Sequence, residues 1–388
     1  MKDTYISEAV KYIGADDTTL DLFESQYQIP NGVSYNSYVI LDEKVAVMDT
    51  IDERKTDEWF ANLENVLNGR TVDYLVISHL EPDHAANIKR AGDKFPKAQL
   101  VLSAKAKAML PQFFDIAHLD ERCLVVKEGD TLELGIHKLH FVMAPMVHWP
   151  EVMVEYEETE KILFSADGFG KFGALSAEEE WTDEARRYFI NIVGKYGVQV
   201  QTLLKKAAAL DIQTICPLHG PVLKENLGFY IGKYLTWSSY EPEEDGVLVA
   251  CASIHGNTKA AAEKMVEVLR ANGASKVVFM DLTRDDMAEA VADAFRYGKI
   301  ILAAASYDAG VFPPMEDFLH RLVHKNLQKR TFGLIENGSW APCAAKGMKG
   351  ILEGMKEVNV CENVVSIKST MKDTDVAKME ELAKEILA

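Results

Sequence analysis

Beyond residue 246 the chain repeats one pattern, a short apolar run of β-forming residues followed by a helical stretch. The runs cover residues 247–253, 277–282, 300–305, 331–336 and 364–367. Strands separated this way cannot be joined by tight turns, so each intervening helix must cross a face of the sheet and cover it. Five strands, four crossover helices and a fifth helix at the C-terminus predict a doubly wound parallel sheet. Such sheets bind ligands beyond the carboxyl ends of their strands, beside the point where strand order reverses.

The run Ser238-Ser239-Tyr240-Glu241-Pro242-Glu243-Glu244-Asp245-Gly246 is polar and acidic and carries both Pro and Gly, which marks a boundary. It divides the 388 residues into domains of 1–245 and 246–388, each long enough to bury its own core. The first part has short strand patterns at 35–41, 45–49, 132–133 and 138–142, with fewer helical patterns between them. A mixed, layered α/β domain is expected there. No internal repeat or low-complexity tract interrupts either part.

Several strands of the first part run into histidines and carboxylates. Residues 72–78, Val-Asp-Tyr-Leu-Val-Ile-Ser, empty into His79-Leu80-Glu81-Pro82-Asp83-His84, and Pro82 suits that loop to presenting side chains rather than extending a strand. Alternation along an extended backbone would send His79, Glu81 and Asp83 to one side. His148 sits between apolar residues and two prolines, Asp167-Gly168 ends a second apolar run, and His219 is followed by Gly220-Pro221. Each taken alone is an ordinary structural histidine or turn aspartate. Together they are a metal-ligating set, because clustered acids and imidazoles destabilise a fold unless a cation compensates them. Three carboxylates with three imidazoles form a hard, anionic donor set that suits a pair of irons. His118, His137, His140, His320 and His324 have no such context.

A second constellation opens the C-terminal part. The first strand there leads into Ser253-Ile254-His255-Gly256-Asn257-Thr258 and then a helix, an arrangement that offers backbone amides, hydroxyls and the helix dipole to a phosphate. It lacks the Gly-Lys-Ser/Thr of a P-loop and the three spaced glycines of a dinucleotide fingerprint. The loops at 306–314 and 336–340 follow the third and fourth strands, and Tyr307 or Trp340 could cover an isoalloxazine face.

Charge narrows the partners. With 42 Lys+Arg against 60 Asp+Glu, the formal charge of -18 repels nucleic acid and anionic membrane surfaces. No pair among Cys123, Cys216, Cys251, Cys343 and Cys361 makes a Cys-x-x-Cys motif, which argues against a zinc ribbon, a rubredoxin module or an iron-sulfur cluster. The charged N-terminal residues and the absence of about 20 uninterrupted apolar residues predict a soluble, cytoplasmic protein.

The strand-end cluster resembles the metallo-β-lactamase-like fold, an αββα sandwich whose zinc hydrolases carry His-x-His-x-Asp-His at this loop; here Glu81 replaces the second histidine. With a flavodoxin-like domain following it, the whole chain resembles the flavodiiron proteins, or A-type flavoproteins, the family of rubredoxin:oxygen oxidoreductases and nitric oxide reductases. The resemblance implies that His79, Glu81 and His148 hold one iron, Asp83 and His219 the other, and Asp167 bridges them. It sets His84 behind the ligands as a supporting residue rather than a ligand, and Tyr196 as an aromatic beside the irons. It also implies flavin mononucleotide (FMN) held by Ser253, His255, Gly256, Asn257 and Thr258, by Ser306, Tyr307, Asp308, Ala309 and Gly310, and by Asn337, Gly338, Ser339 and Trp340. His255 departs from the tyrosine or threonine common at its position.

The activity so implied is reduction of dioxygen to water, of nitric oxide to nitrous oxide, or both. A minimal two-domain chain without appended rubredoxin or flavin reductase would draw electrons from an external donor such as rubredoxin or a reduced deazaflavin. A head-to-tail homodimer, alone or as a dimer of dimers, would bring one subunit's flavin to the other's irons. A zinc hydrolase with a flavodoxin-like docking module is the alternative, and Glu81 argues against it. An electron carrier with a vestigial metal site is a third reading, which the complete ligand set disfavours.

Overall fold

The computed structural model describes residues 6–388, which form two compact units. The first runs to Phe189 and resumes at Val198–Leu235; the second comprises Ile190–Gly197 and Thr236–Ala388.

Two sheets build the first unit. One has the order Val10–Tyr12, Tyr38–Leu41, Val45–Met48, Tyr74–Ile77, Gln99–Ser103, Cys123–Val126, antiparallel at its start and parallel from Val45–Met48 onward. The other has the order Thr131–Glu133, Lys138–Met143, Met153–Glu157, Ile162–Phe164, Thr214–Cys216, with only the last pair parallel. Alternate residues of each sheet point inward. Ile40, Met48, Val76 and Val101 of one share a buried core with Phe141, Met153, Ile162 and Phe164 of the other. The remaining faces are roofed by helices. Trp59 and Leu63 of Thr56–Leu67 cover Val47, Leu75 and Leu100, while Val200, Leu204 and Tyr234 of Gly197–Ala207 and Leu227–Ser238 cover Val142, Val154 and Leu163. The result is the αββα sandwich. Strands Lys138–Met143, Ile162–Phe164 and Thr214–Cys216 run the same way, so their carboxyl ends, which precede His148, Asp167 and His219, lie on one edge.

The second unit is a parallel sheet of order Val277–Asp281, Glu244–Ala252, Tyr297–Tyr307, Arg330–Asn337, Val358–Ile367. In chain order this is second, first, third, fourth, fifth, the flavodoxin-like winding, and its switch point lies between the first and third strands. Helices Asn257–Ala271 and Asp373–Leu387 pack on one face through Met265, Leu269, Met379 and Leu382. A two-residue strand, Gly310–Val311, folds back on the third strand and has no sequence signal of its own. The last strand begins well before 364 because it is an edge strand whose residues alternate between partly buried and exposed, so the continuous apolar run shows only its end.

The second unit also begins earlier than residue 246. The hydroxyl of Tyr240 donates to the carbonyls of Gly194 and Lys195 at 3.0 and 3.1 Å and accepts the Gly197 amide at 3.2 Å, which ties 190–197 to it. Arg330, 2% exposed, closes this seam. It donates to the carbonyls of Ala294 at 3.0 Å, Tyr240 at 2.8 Å and Gln328 at 2.8 Å, and also to that of Phe295. Replacing it strands several buried acceptors, each costing about 1–3 kcal/mol. Arg330→Met is therefore expected to lower unfolding stability by about 3 kcal/mol or more, read by urea denaturation.

Candidate metal centre and cofactor cleft

Strand Tyr74–Ile77 delivers His79 fully buried. The backbone stays extended as far as Glu81 and then turns, with Pro82 in the first position of a short helix, Pro82–Ala85. The expected extended alternation therefore stops before Asp83. Helical winding directs both Asp83 and His84 inward, so His84 faces the cluster rather than standing behind it.

The ligating atoms fall into two groups. His79, Glu81, His148 and Asp167 form one, and Asp83, His84 and His219 the other, each spanning no more than 4.8 Å. Asp167 faces both. Its Oδ2 lies 3.4 Å from His79 Nε2 and 3.3 Å from His148 Nε2, while its Oδ1 lies 3.1 Å from His84 Nε2 and 3.8 Å from His219 Nε2. Glu81 Oε2 closes the first group, 2.9 Å from His148 Nε2, and Asp83 Oδ2 the second, 3.2 Å from His219 Nε2.

Both oxygens of Asp83 and of Asp167, both ring nitrogens of His84 and Nε2 of His219 are buried without a hydrogen-bond partner among the described residues. Buried polar atoms normally find partners, and the atoms of Asp83, Asp167, His84 and His219 that face one another fit electron-pair donors to cations. Electrostatics points the same way. Burial opposes charge on His84 and His148, yet the charges of Asp83 and Asp167 around the first, and of Asp167 and Glu81 beside the second, raise both to about 9. Burial likewise opposes ionisation of Asp167, but His84 and His148 hold it well below the usual carboxylate range.

Groups that the motif does not reveal position these ligands. Glu151 accepts from His79 Nδ1 at 2.8 Å and from the Leu80 amide at 2.9 Å; the Ser34 carbonyl lies 2.7 Å from His219 Nδ1; Asp49 accepts the Ser78 amide at 2.8 Å. No local pattern marks them, since each lies at least 29 residues from its partner. Phe23, Tyr35 and Tyr188 ring His219 at centroid distances of 5.5, 6.0 and 5.4 Å. Tyr196 groups with the second unit, and within the first unit Tyr188 is an aromatic beside the cluster.

The second unit carries a cleft of about 610 Å³ at the carboxyl ends of its first, third and fourth strands, a volume typical of small-ligand sites. Its wall includes Ser253, His255, Asn257 and Thr258; Ser306, Tyr307, Asp308 and Ala309; and Asn337, Gly338, Ser339 and Trp340. Gly256 and Gly310 are not on it. They shape the loops: Gly256, at φ +91°, turns the chain into helix Asn257–Ala271, and Gly310 pairs with Tyr307 in the short hairpin. Ile254, Ala305, Ala341, Cys343 and Ser369 also line the cleft. Ser369 comes from after the fifth strand, held by Asn337, whose amide donates to its carbonyl at 2.9 Å. Trp340 is 90% exposed and Tyr307 45%, large flat faces left open beside a helix N-terminus, which fits an aromatic ring system carrying a phosphate.

Comparison with known proteins extends over both units. The family model "ODP family beta lactamase" matches residues 33–220. The rubredoxin oxygen:oxidoreductase of Desulfovibrio gigas superposes with a TM-score of 0.91 at 25% identity, covering 99% of this chain and 97% of that one. The flavodiiron protein of Giardia intestinalis gives 0.89 at 23% identity over 100% and 97%. This chain has the flavodiiron architecture. A nitric oxide reductase of Moorella thermoacetica is 26% identical over 99% of the chain and 98% of its own length. These named relatives are oxidoreductases. Among the described residues no helix is long and apolar enough to cross a membrane.

Two outcomes test the centre. Because each imidazole must shed its proton to ligate, affinity for a divalent cation should climb as pH rises towards about 9, with protons released on binding, as titration calorimetry in paired buffers would read. Glu151→Gln should keep the fold yet weaken metal affinity by roughly 10–100-fold, measured by competition with a chromophoric chelator.

Proposed function

We propose that this flavodiiron-type chain is an oxidoreductase that reduces dioxygen to water, nitric oxide to nitrous oxide, or both, at a pair of irons supplied with electrons by FMN. The carrying observation is Asp167, one carboxylate with an oxygen turned to each of two histidine-carboxylate groups. His79, Glu81 and His148 would hold one iron; Asp83, His219 and, on the geometry of the helical turn, His84 the other. Two ferrous ions and a reduced flavin together supply the four electrons that dioxygen requires, or the two that a pair of nitric oxide molecules requires.

The chain's own residues set the conditions for that chemistry. Glu81, Asp83 and Asp167 bring three negative charges that favour the ferric state. Glu151 and the Ser34 carbonyl fix the rings of His79 and His219, and the packed faces of Phe23, Tyr35 and Tyr188 keep bulk water from that side. In the cleft, the amides and hydroxyls at 253–258 would hold the phosphate of FMN, and Tyr307 and Trp340 offer aromatic faces for its ring. Electrons would come from an external donor, a rubredoxin or a reduced deazaflavin, and a head-to-tail dimer would bring one subunit's flavin-binding cleft to the other's metal centre. Glu81, where a zinc hydrolase has histidine, favours this reading over hydrolysis.

Metal analysis and anaerobic reduction, followed by separate measurement of dioxygen and nitric oxide consumption, test it. Two irons and one flavin per chain are expected, with turnover lowered roughly a hundredfold or more in Glu81→Ala. Zinc in place of iron, or no turnover of either gas, would replace it with the hydrolase reading.

A further inference from the structure

An apolar cavity lies on the outer face of the first unit's second sheet, beneath the two helices that cover it. Val142, Val154 and Leu163 form its floor and Val200, Leu204 and Tyr234 its roof. Its volume is about 30 Å³; on a comparable measure a water needs roughly 10–15 Å³. A small guest therefore fits.

The guest is not water. Of the polar groups on the wall, the Ser165 hydroxyl is spent on the Gly168 carbonyl at 2.6 Å, and the Tyr234 hydroxyl accepts the Phe169 amide. Neither offers the two to four partners that a buried water needs, and apolar cavities of this kind stay dry and take up neutral apolar molecules such as xenon. Position gives the cavity its meaning. Its wall includes Val147, adjacent to His148, and Gly168, adjacent to Asp167, and so takes in backbone that carries two metal ligands. It also includes Leu203, Ala207 and Leu210, which are only half-buried.

We propose that this cavity is a holding site for the neutral diatomic gas that the metal centre consumes, an inference that rests on the function proposed above. Dioxygen and nitric oxide are small, uncharged and poorly hydrated, and so favour a dry apolar space over water. A store one backbone layer from His148 and Asp167 raises the local gas concentration without adding a polar ligand that would compete for the metals.

The test pairs xenon with kinetics on the intact, metal-loaded protein. Crystals pressurised with xenon should show it between Val154 and Leu204 in the wild type. In Val200→Phe and Ala207→Leu, which fill the space, xenon should be lost and KM for the gas raised by at least about threefold with kcat unchanged. An ordered water or no xenon in the wild type would overturn the proposal even if both variants failed to fold, and so would an unchanged KM in a variant that has lost xenon. Turnover without xenon overturns the holding role alone, whereas xenon in a protein that reduces neither gas overturns the holding role and the reductase reading together.

Discussion

Buried negative charge is the constraint on which the metal half of this protein depends. Asp83 and Asp167 are at most 8% exposed and bring four carboxylate oxygens into one space, with Glu81 beside them. Carboxylates so close cannot all stay ionised in a low-dielectric interior without cations. The carboxylates raise the proton affinity of His79, His84 and His148, and bound cations would meet the same demand. Asp167 joins the two groups, because one of its oxygens faces each of them.

The sandwich answers that constraint with rigidity. Each ligand leaves the end of a strand whose inner face is packed in the common core, so the ligand positions inherit the register of the sheets. The groups that aim the ligands arrive from other strands and loops: Ser34 from the N-terminal region, Asp49 from the end of Val45–Met48, Glu151 from before Met153–Glu157. Removing the Glu151 carboxylate would leave His79 in place but free to turn. The cofactor cleft is built on the opposite principle. It is open, and its two aromatic faces are exposed.

Legibility in the sequence followed range. Strands that are buried on both faces announced themselves as apolar runs, which is why the winding of the second unit and the strands before His79, Asp167 and His219 could be read directly. Elements with one wet face were cut short, as with Val358–Ile367, or missed, as with Gly310–Val311. His84 was read as a supporting residue, and Tyr196 as an aromatic beside the irons, on the family resemblance alone; the helical turn starting at Pro82 turns His84 towards Asp83 and His219, and within the first unit Tyr188 is an aromatic against His219.

The sequence by itself determined the chemistry of the ligands and the class of each fold, because both are written in residue type and in periodicities that repeat within a few residues. Tertiary structure alone decided which oxygen of Asp167 faces which group, that Glu151 and Ser34 aim the histidines, and that an apolar cavity lies behind the ligand-bearing backbone. Those facts depend on contacts between residues tens to hundreds of positions apart, and no local pattern encodes a distance that only packing creates.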